Sequence, residues 1–309
     1  MREVTLCVVA AYLVTMVYYH VLPSADWVIW HKVSIDGQGL APLQYRWLSF
    51  MIPELISRVG INITDAYMIE RFIFTSVALF FFGKAACIAN GQNGFYFFSF
   101  YVLSLAVYYA AATLPVIQPS EEINLAFFSV GLFMLVSKVN IFWWPLFIAA
   151  GAINKDTVGF FIPYILVYEV MSGREGLKLY ISLALSSMAF ASVYISLRWL
   201  YGTEREYAGG FIQIDHNIRY LVNHPFDSVG FILPSLFALV LSLLLWKKTP
   251  RYMKAYIPTI ILFTIGHFTI SRIDEFRTYS ALAVVTIPYM LYMMMAGQDV
   301  TNKRSMKAA

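Results

Sequence analysis

The stretch IFWWPLFIAAGAINKDTVGFFIPYILVYEV, residues 141–170, decides how this chain folds. It reads either as two short helices of about 13 residues or as one tilted helix of about 30, and the choice sets the side on which everything upstream emerges. Gly151, Asn154, Asp156 and Gly159 cluster at its centre, where a continuous span would carry Leu. Such residues end and start helices, which favours a break. A helix of about 13 residues rises only ~20 Å, less than the ~30 Å hydrocarbon core of a bilayer. The turn at 154–157 then lies below the membrane surface, and backbone at that depth must line a protein cavity.

Composition supplies the membrane. Of 309 residues, 60% are hydrophobic and 13% charged, against roughly 25% charged in soluble domains. The mean hydropathy of +0.66 excludes a water-soluble protein. Seven Trp, 21 Tyr and 25 Phe exclude a disordered chain and suit one bathed in lipid. Apolar runs near 3–22, 65–88, 95–113, 122–137, 141–153, 157–171, 178–199, 227–246, 255–270 and 278–296 predict an all-α, polytopic transmembrane helical bundle of about ten spans. It fills 1–309 as a single transmembrane domain with a cytoplasmic tail at 297–309. The run from Val4 to Leu22 behind Arg2 has the shape of a secretory signal and is read as the first span. Between the first two spans, 23–64 is an extracytoplasmic loop. Within it Trp47-Leu48, Met51-Ile52 and Leu55-Ile56 repeat as apolar pairs, the pattern of an amphipathic helix lying in the interface, with a kink or fresh start at Pro53.

The net charge of +4 is small, and the basic residues sit in short clusters beside apolar runs, which excludes nucleic acid as a partner. Cys7 and Cys87 support neither a disulfide framework nor a thiolate metal site. Lys247, Lys248, Arg251 and Lys254 flank one joint, Arg174 and Lys178 another, and Lys303, Arg304 and Lys307 the tail, which places all three in the cytoplasm. With the helix broken at 154–157, the opposite side collects charges from five joints. They are Asp26, Asp36 and Arg46; Glu121 and Glu122; Lys155 and Asp156; Glu204, Arg205, Asp215, His216 and His224; and Arg272, Asp274, Glu275 and Arg277. In a chain with so few charges, this segregation predicts a polar cavity at the membrane boundary, open to water and lipid headgroups.

Each group has two readings. Asp36, in Ile35-Asp36-Gly37-Gln38-Gly39, is either a general base for a bound hydroxyl or an Asx-turn capping the interfacial helix. Arg46, following Tyr45, either forks onto a phosphate or snorkels. Lys155 and Asp156 lie at a depth where an uncompensated charge costs about 3 kcal/mol, so they pair with each other or with a ligand. The joint Arg272-Ile273-Asp274-Glu275-Phe276-Arg277 packs two bases and two acids between two spans, with Arg277 placed to hold a phosphate. Asp26, beside Trp27 and Trp30, reads as an interface residue. His216 and His224 match no metal-ligand spacing, and no Gly-x-Ser-x-Gly occurs.

An acidic first loop with Asp36, the segment Gln44-Tyr45-Arg46-Trp47-Leu48 through Pro53, then Ala152-Ile153-Asn154-Lys155-Asp156-Thr157, and finally Glu275-Phe276-Arg277 together resemble the GT-C superfamily. Those are polytopic membrane glycosyltransferases that use polyprenyl-phosphate-linked sugars. The resemblance implies that Asp36 acts as base on the acceptor. Arg46, Lys155 or Arg277 would hold the donor phosphate, with Tyr45, Asp156, Arg272, Asp274 and Glu275 in support. Polyprenyl phosphate would be the leaving group. Membrane lipid and a polyprenyl-phosphate-linked sugar are then the partners, in a bacterial or archaeal inner (cytoplasmic) membrane. No cofactor is required; Asp26 and Asp36 do not form the close acidic pair often seen in that loop, which weakens the case for a divalent metal. Two other readings stand. One is a structural or assembly subunit of a larger membrane complex, suggested by aromatic-rich spans and small loops. The other is a transporter or flippase hinged at Asn154, which predicts inverted repeats that the sequence does not display.

Overall fold

The computed structural model describes residues 1–21, 31–39, 45–113, 120–202, 212–270 and 280–308. Among them the regular structure is entirely helical, without a strand. The elements are α1 (Arg2–Val21), α2 (Leu48–Ser57), α3 (Ile63–Asn90), α4 (Phe95–Thr113), α5 (Ser120–Val136), α6 (Trp144–Asn154), α7 (Phe161–Met171), α8 (Leu177–Tyr201), α9 (Ile214–Asn223), α10 (Pro225–Leu244), α11 (Arg251–Ile270) and α12 (Ser280–Ala308). Within the described residues, each apolar run of the sequence falls mainly in one of these helices. Among the described residues, four helices are long and apolar enough to cross a membrane: Arg2–His20, Ile63–Asn90, Leu177–Tyr201 and Arg251–Ile270.

Local chemistry sets several of the boundaries. The Asn62 side chain accepts from the Thr64 N–H at 3.0 Å and starts α3, and Gly91 ends it at φ 63, in the left-handed region that glycine tolerates. α5 opens on Ser120, Glu121 and Glu122, which puts two acids at the positive end of the helix dipole. α3 packs against α1 and α5, α6 lies along α8, and α7 lies along α11. Phe128, Trp144 and Tyr164 crowd the ring of Phe161 to knit the centre of the core. Cys7 and Cys87 are free and buried within it.

The 141–170 stretch is broken. α6 ends at Asn154, Lys155 is extended at φ −158 and ψ 135, a 3-10 turn covers Asp156–Phe160, and α7 starts at Phe161. The two halves fold back on each other. Trp144 and Phe147 of α6 both meet Phe161, the first residue of α7, with ring centroids 6.0 and 5.8 Å apart. Ser182 of α8 donates to the Ile141 carbonyl at 2.6 Å, fixing the start of α6 beside the start of α8. Each helix of 11 residues rises about 16 Å, half a bilayer core. Gly151 plays a different part from the expected one: it lies inside α6, and a Cβ there would fall 2.6 Å from the Val158 side chain of the returning turn. Its role is close packing of the hairpin rather than ending the helix.

Pro53 lies within α2, so no fresh helix starts there. Its ring nitrogen forfeits only one ladder bond, to the carbonyl four residues earlier. α2 is fastened to α3 by a polar chain: His31 Nδ1 meets the Tyr67 hydroxyl at 2.8 Å, His31 Nε2 meets Glu54 Oε2 at 3.1 Å, and Arg58 Nε donates to Glu54 Oε1 at 2.9 Å. The hydrogen bonds from His31 and Arg58 hold the Glu54 carboxyl below its usual range.

Candidate functional site

The first turn of α5 organises the site, because each of its three polar residues is taken by a cation from a different part of the chain. Arg46 Nη1 donates to Ser120 Oγ at 3.0 Å. Lys155 Nζ meets Glu121 Oε1 at 2.7 Å, with side-chain exposures of 3% and 1%. Arg71 Nη2 meets Glu122 Oε1 at 2.6 Å, equally buried, and its guanidinium lies 4.2 Å from the centroid of the Tyr18 ring. Burying charges so deeply is tolerable only with partners this close. Two further hydrogen bonds clamp the helix break to α5: Asn154 Nδ2 donates to the Ser120 carbonyl at 3.1 Å, and Thr157 Oγ1 to Asn124 Oδ1 at 2.9 Å.

Lys155 therefore pairs with Glu121, 34 residues away in sequence, and not with its neighbour Asp156. The reason is directional. Lys155 is extended and points inward, while Asp156 begins the 3-10 turn and is exposed. Asp156 has no ion-pair partner among the described residues.

Above this buried layer opens a small, partly enclosed cleft. Tyr45, Arg46, Asn154, Lys155 and Asp156 form one side, and Phe190, Tyr194, Leu197 and Arg198 of α8 the other. The Tyr45 hydroxyl donates to the Gly202 carbonyl at 2.7 Å, tying the segment before α2 to the end of α8. Arg198 lies between two rings, 4.5 Å from the Tyr45 centroid and 3.3 Å from that of Tyr194. A Cβ on Gly159 would fall 2.9 Å from the Phe190 ring, so glycine there lets the turn approach the cleft wall.

Residues of three of the five joints expected on one face meet in the described residues, while Glu204 and Arg205 of the fourth lie outside them and its Asp215, His216 and His224 do not line the cleft. Arg46 and Tyr45 represent the first loop, Ser120 and Glu121 the second, and Lys155 and Asp156 the third. Near the fourth, Gly202 accepts from Tyr45, and the Gln213 N–H donates to the Thr269 carbonyl at the end of α11 at 2.8 Å. The fifth joint, with Arg272, Asp274, Glu275 and Arg277, lies outside the described residues, as does Asp26.

Asp36 is exposed and does not line the cleft. It follows a helical segment, 31–35, and its N–H donates to the Lys32 carbonyl at 3.0 Å. Gly37, at φ +71, turns the chain and faces the Tyr201 ring, 3.7 Å from where a Cβ would be. The Asx-turn reading of Asp36 does not hold: it closes the preceding helical segment, and α2 begins with no side-chain cap. The loop carrying Asp36 nonetheless sits at the same end of α8 as Arg198 and Gly202.

Sequence reasoning missed Arg71, Glu70 and Arg198. The adjacent Glu70 and Arg71 inside an apolar helix were a readable signal, because charges within a span are costly and are kept for a partner or a function. Glu70 is 2% exposed, and its Oε1 has no hydrogen-bond partner among the described residues. Arg198, near the end of an apolar helix, carries the pattern of an ordinary snorkelling residue. No group of three or more His, Cys, Asp or Glu able to hold a metal occurs among the described residues. His216 and His224 instead flank the ring of Tyr220 in stacked arrangements. In comparisons with protein-family models, with curated proteins and with solved structures, no match to the chain is found.

Proposed function

We propose that the chain is a multi-pass membrane glycosyltransferase of the GT-C kind, moving a sugar from a polyprenyl-phosphate-linked donor to an acceptor hydroxyl at the extracytoplasmic face of a bacterial or archaeal cytoplasmic membrane. The observation that carries the proposal is the cleft at the helix break, where Arg46, Lys155 and Arg198 gather beside Tyr45 and Asp156. In this reading the ten apolar segments are ten spans, α2 lies in the interface, and α6 and α7 form a hairpin whose tip lines the cavity.

The reaction breaks the bond between the anomeric carbon and the phosphate oxygen, and the electron pair leaves on that oxygen. The acceptor oxygen forms the new bond from the opposite face, and its proton passes to the Asp36 carboxylate. Positive side chains in a partly enclosed site lower the energy of the departing phosphate. The contact of Gly37 with Tyr201 brings the Asp36 loop to the end of α8 that bears the cleft. In purified protein given a lipid-linked sugar donor and acceptor, Asp36→Asn should abolish transfer while expression is unchanged. Normal transfer by that variant would remove Asp36 as the base.

A second reading, a non-catalytic subunit of a larger membrane complex, draws on α8, whose Met188, Ile195, Trp199 and Leu200 are exposed. Stoichiometric copurification with a partner, together with no transfer from any lipid-linked donor, would favour it.

A further inference from the structure

We propose that Arg198 is the side chain that grips the phosphate of the ligand in the cleft, while Arg46 and Lys155 shape its floor. The proposal rests on the functional reading above only for the presence of a phosphate there; it does not require sugar transfer.

The three cations are not equivalent. The Lys155 ammonium is already engaged by Glu121 at 2.7 Å in a nearly inaccessible pair, so its charge is largely spent. Arg46 is 6% exposed and bonded to Ser120, which anchors the segment before α2 to α5. Arg198 is half-buried at the cleft wall and has no carboxylate within ion-pair distance among the described residues. Its own helix takes one donor weakly, Nη1 to the Tyr194 carbonyl at 3.4 Å. A guanidinium carries five N–H donors in a planar fork, so most of them remain for a ligand.

The tyrosines make this a prepared site. Rings at 3.3 and 4.5 Å cover the guanidinium, and cation–π attraction holds it in place while its N–H edge stays available. Tyr45 is itself fixed by its bond to Gly202. A planar fork held in this way suits two-point contact with phosphate oxygens, which an ammonium cannot reproduce. Asp156, exposed in the same cleft, opposes a second negative charge there.

Farnesyl phosphate, farnesol and inorganic phosphate are titrated calorimetrically into the full-length protein in detergent. The wild type should bind farnesyl phosphate and not farnesol. Arg198→Gln and Arg198→Lys should each weaken binding about tenfold or more, the worth of one charge-assisted hydrogen bond. Asp156→Asn should tighten it. Arg198→Lys keeps the charge and a long side chain at a half-exposed position, so it reads binding even if the Gln variant folds poorly. Much weaker inorganic phosphate binding, lost in the same variants, assigns the grip to a lipid headgroup; parity of the two assigns it to free phosphate. Wild-type affinity for farnesyl phosphate in both Arg198 variants, or equal binding of farnesol, overturns the proposal. Loss of binding in a protein that transfers no sugar would support Arg198 while counting against the transferase reading.

Discussion

Replacing Lys155 with Met should cost the fold far more than an ordinary substitution, because it leaves Glu121 in a site where its side chain is 1% exposed. Opposite charges 2.7 Å apart attract by about 6 kcal/mol at an effective dielectric constant of about 20. Desolvation of both groups offsets much of that, and removing one partner of such a pair typically costs about 3–5 kcal/mol. Glu121→Gln should be comparably damaging. The double variant Glu121→Gln/Lys155→Met carries no charge at the site and should recover much of the loss, with a coupling of at least about 2 kcal/mol. Reversible unfolding in mixed SDS micelles gives all four free energies. Single-variant losses under about 1 kcal/mol that simply add would refute the claim that this pair clamps the helix break to α5.

Arg71→Met should destabilise by a similar ~3–5 kcal/mol, since Glu122 loses its partner and Tyr18 its stacked cation, and the same unfolding assay reads it. Gly151→Ala should cost about 1–3 kcal/mol by overpacking against Val158, and Val158→Ala in the same chain should recover part of the loss, as thermal melting can test. Because His31 and Arg58 hold Glu54 below the usual carboxylate value of 4.5, its contribution to stability is complete at neutral pH and is lost as pH falls through that lowered value. Acid melting of Glu54→Gln should therefore be flatter than that of the wild type below about pH 4.5; identical curves would contradict the linkage. Single cysteines at positions 36 and 140 should react with an impermeant maleimide from opposite sides of a vesicle, against a background in which Cys7 and Cys87 are buried.

The break in the 141–170 stretch was legible because Gly151, Asn154, Asp156 and Gly159 cluster at the centre of an apolar run, where a continuous helix would carry Leu. Tyr45, Arg46, Glu121, Lys155 and the end of α8 come together in the structure, where hydrogen bonds join Tyr45 to Gly202, Arg46 to Ser120 and Lys155 to Glu121. Partner choice was not legible. Lys155 sits beside Asp156 in sequence but points the other way, because an extended residue before a 3-10 turn sends successive side chains in different directions. Gly151 looked like a helix terminator, since a sequence cannot distinguish a glycine that frees the backbone from one that makes room for Val158. Arg198 was hidden for a related reason: a basic residue at the end of an apolar helix looks the same whether it faces headgroups or a cleft.

The most direct test of the account is an electron cryomicroscopy structure in lipid nanodiscs containing a synthetic polyprenyl-phosphate sugar. Density for the phosphate should lie in the cleft between the turn at 155–156 and Arg198, with the prenyl chain leading out to the bilayer. A cleft without phosphate density beside a donor bound elsewhere on the protein would contradict it.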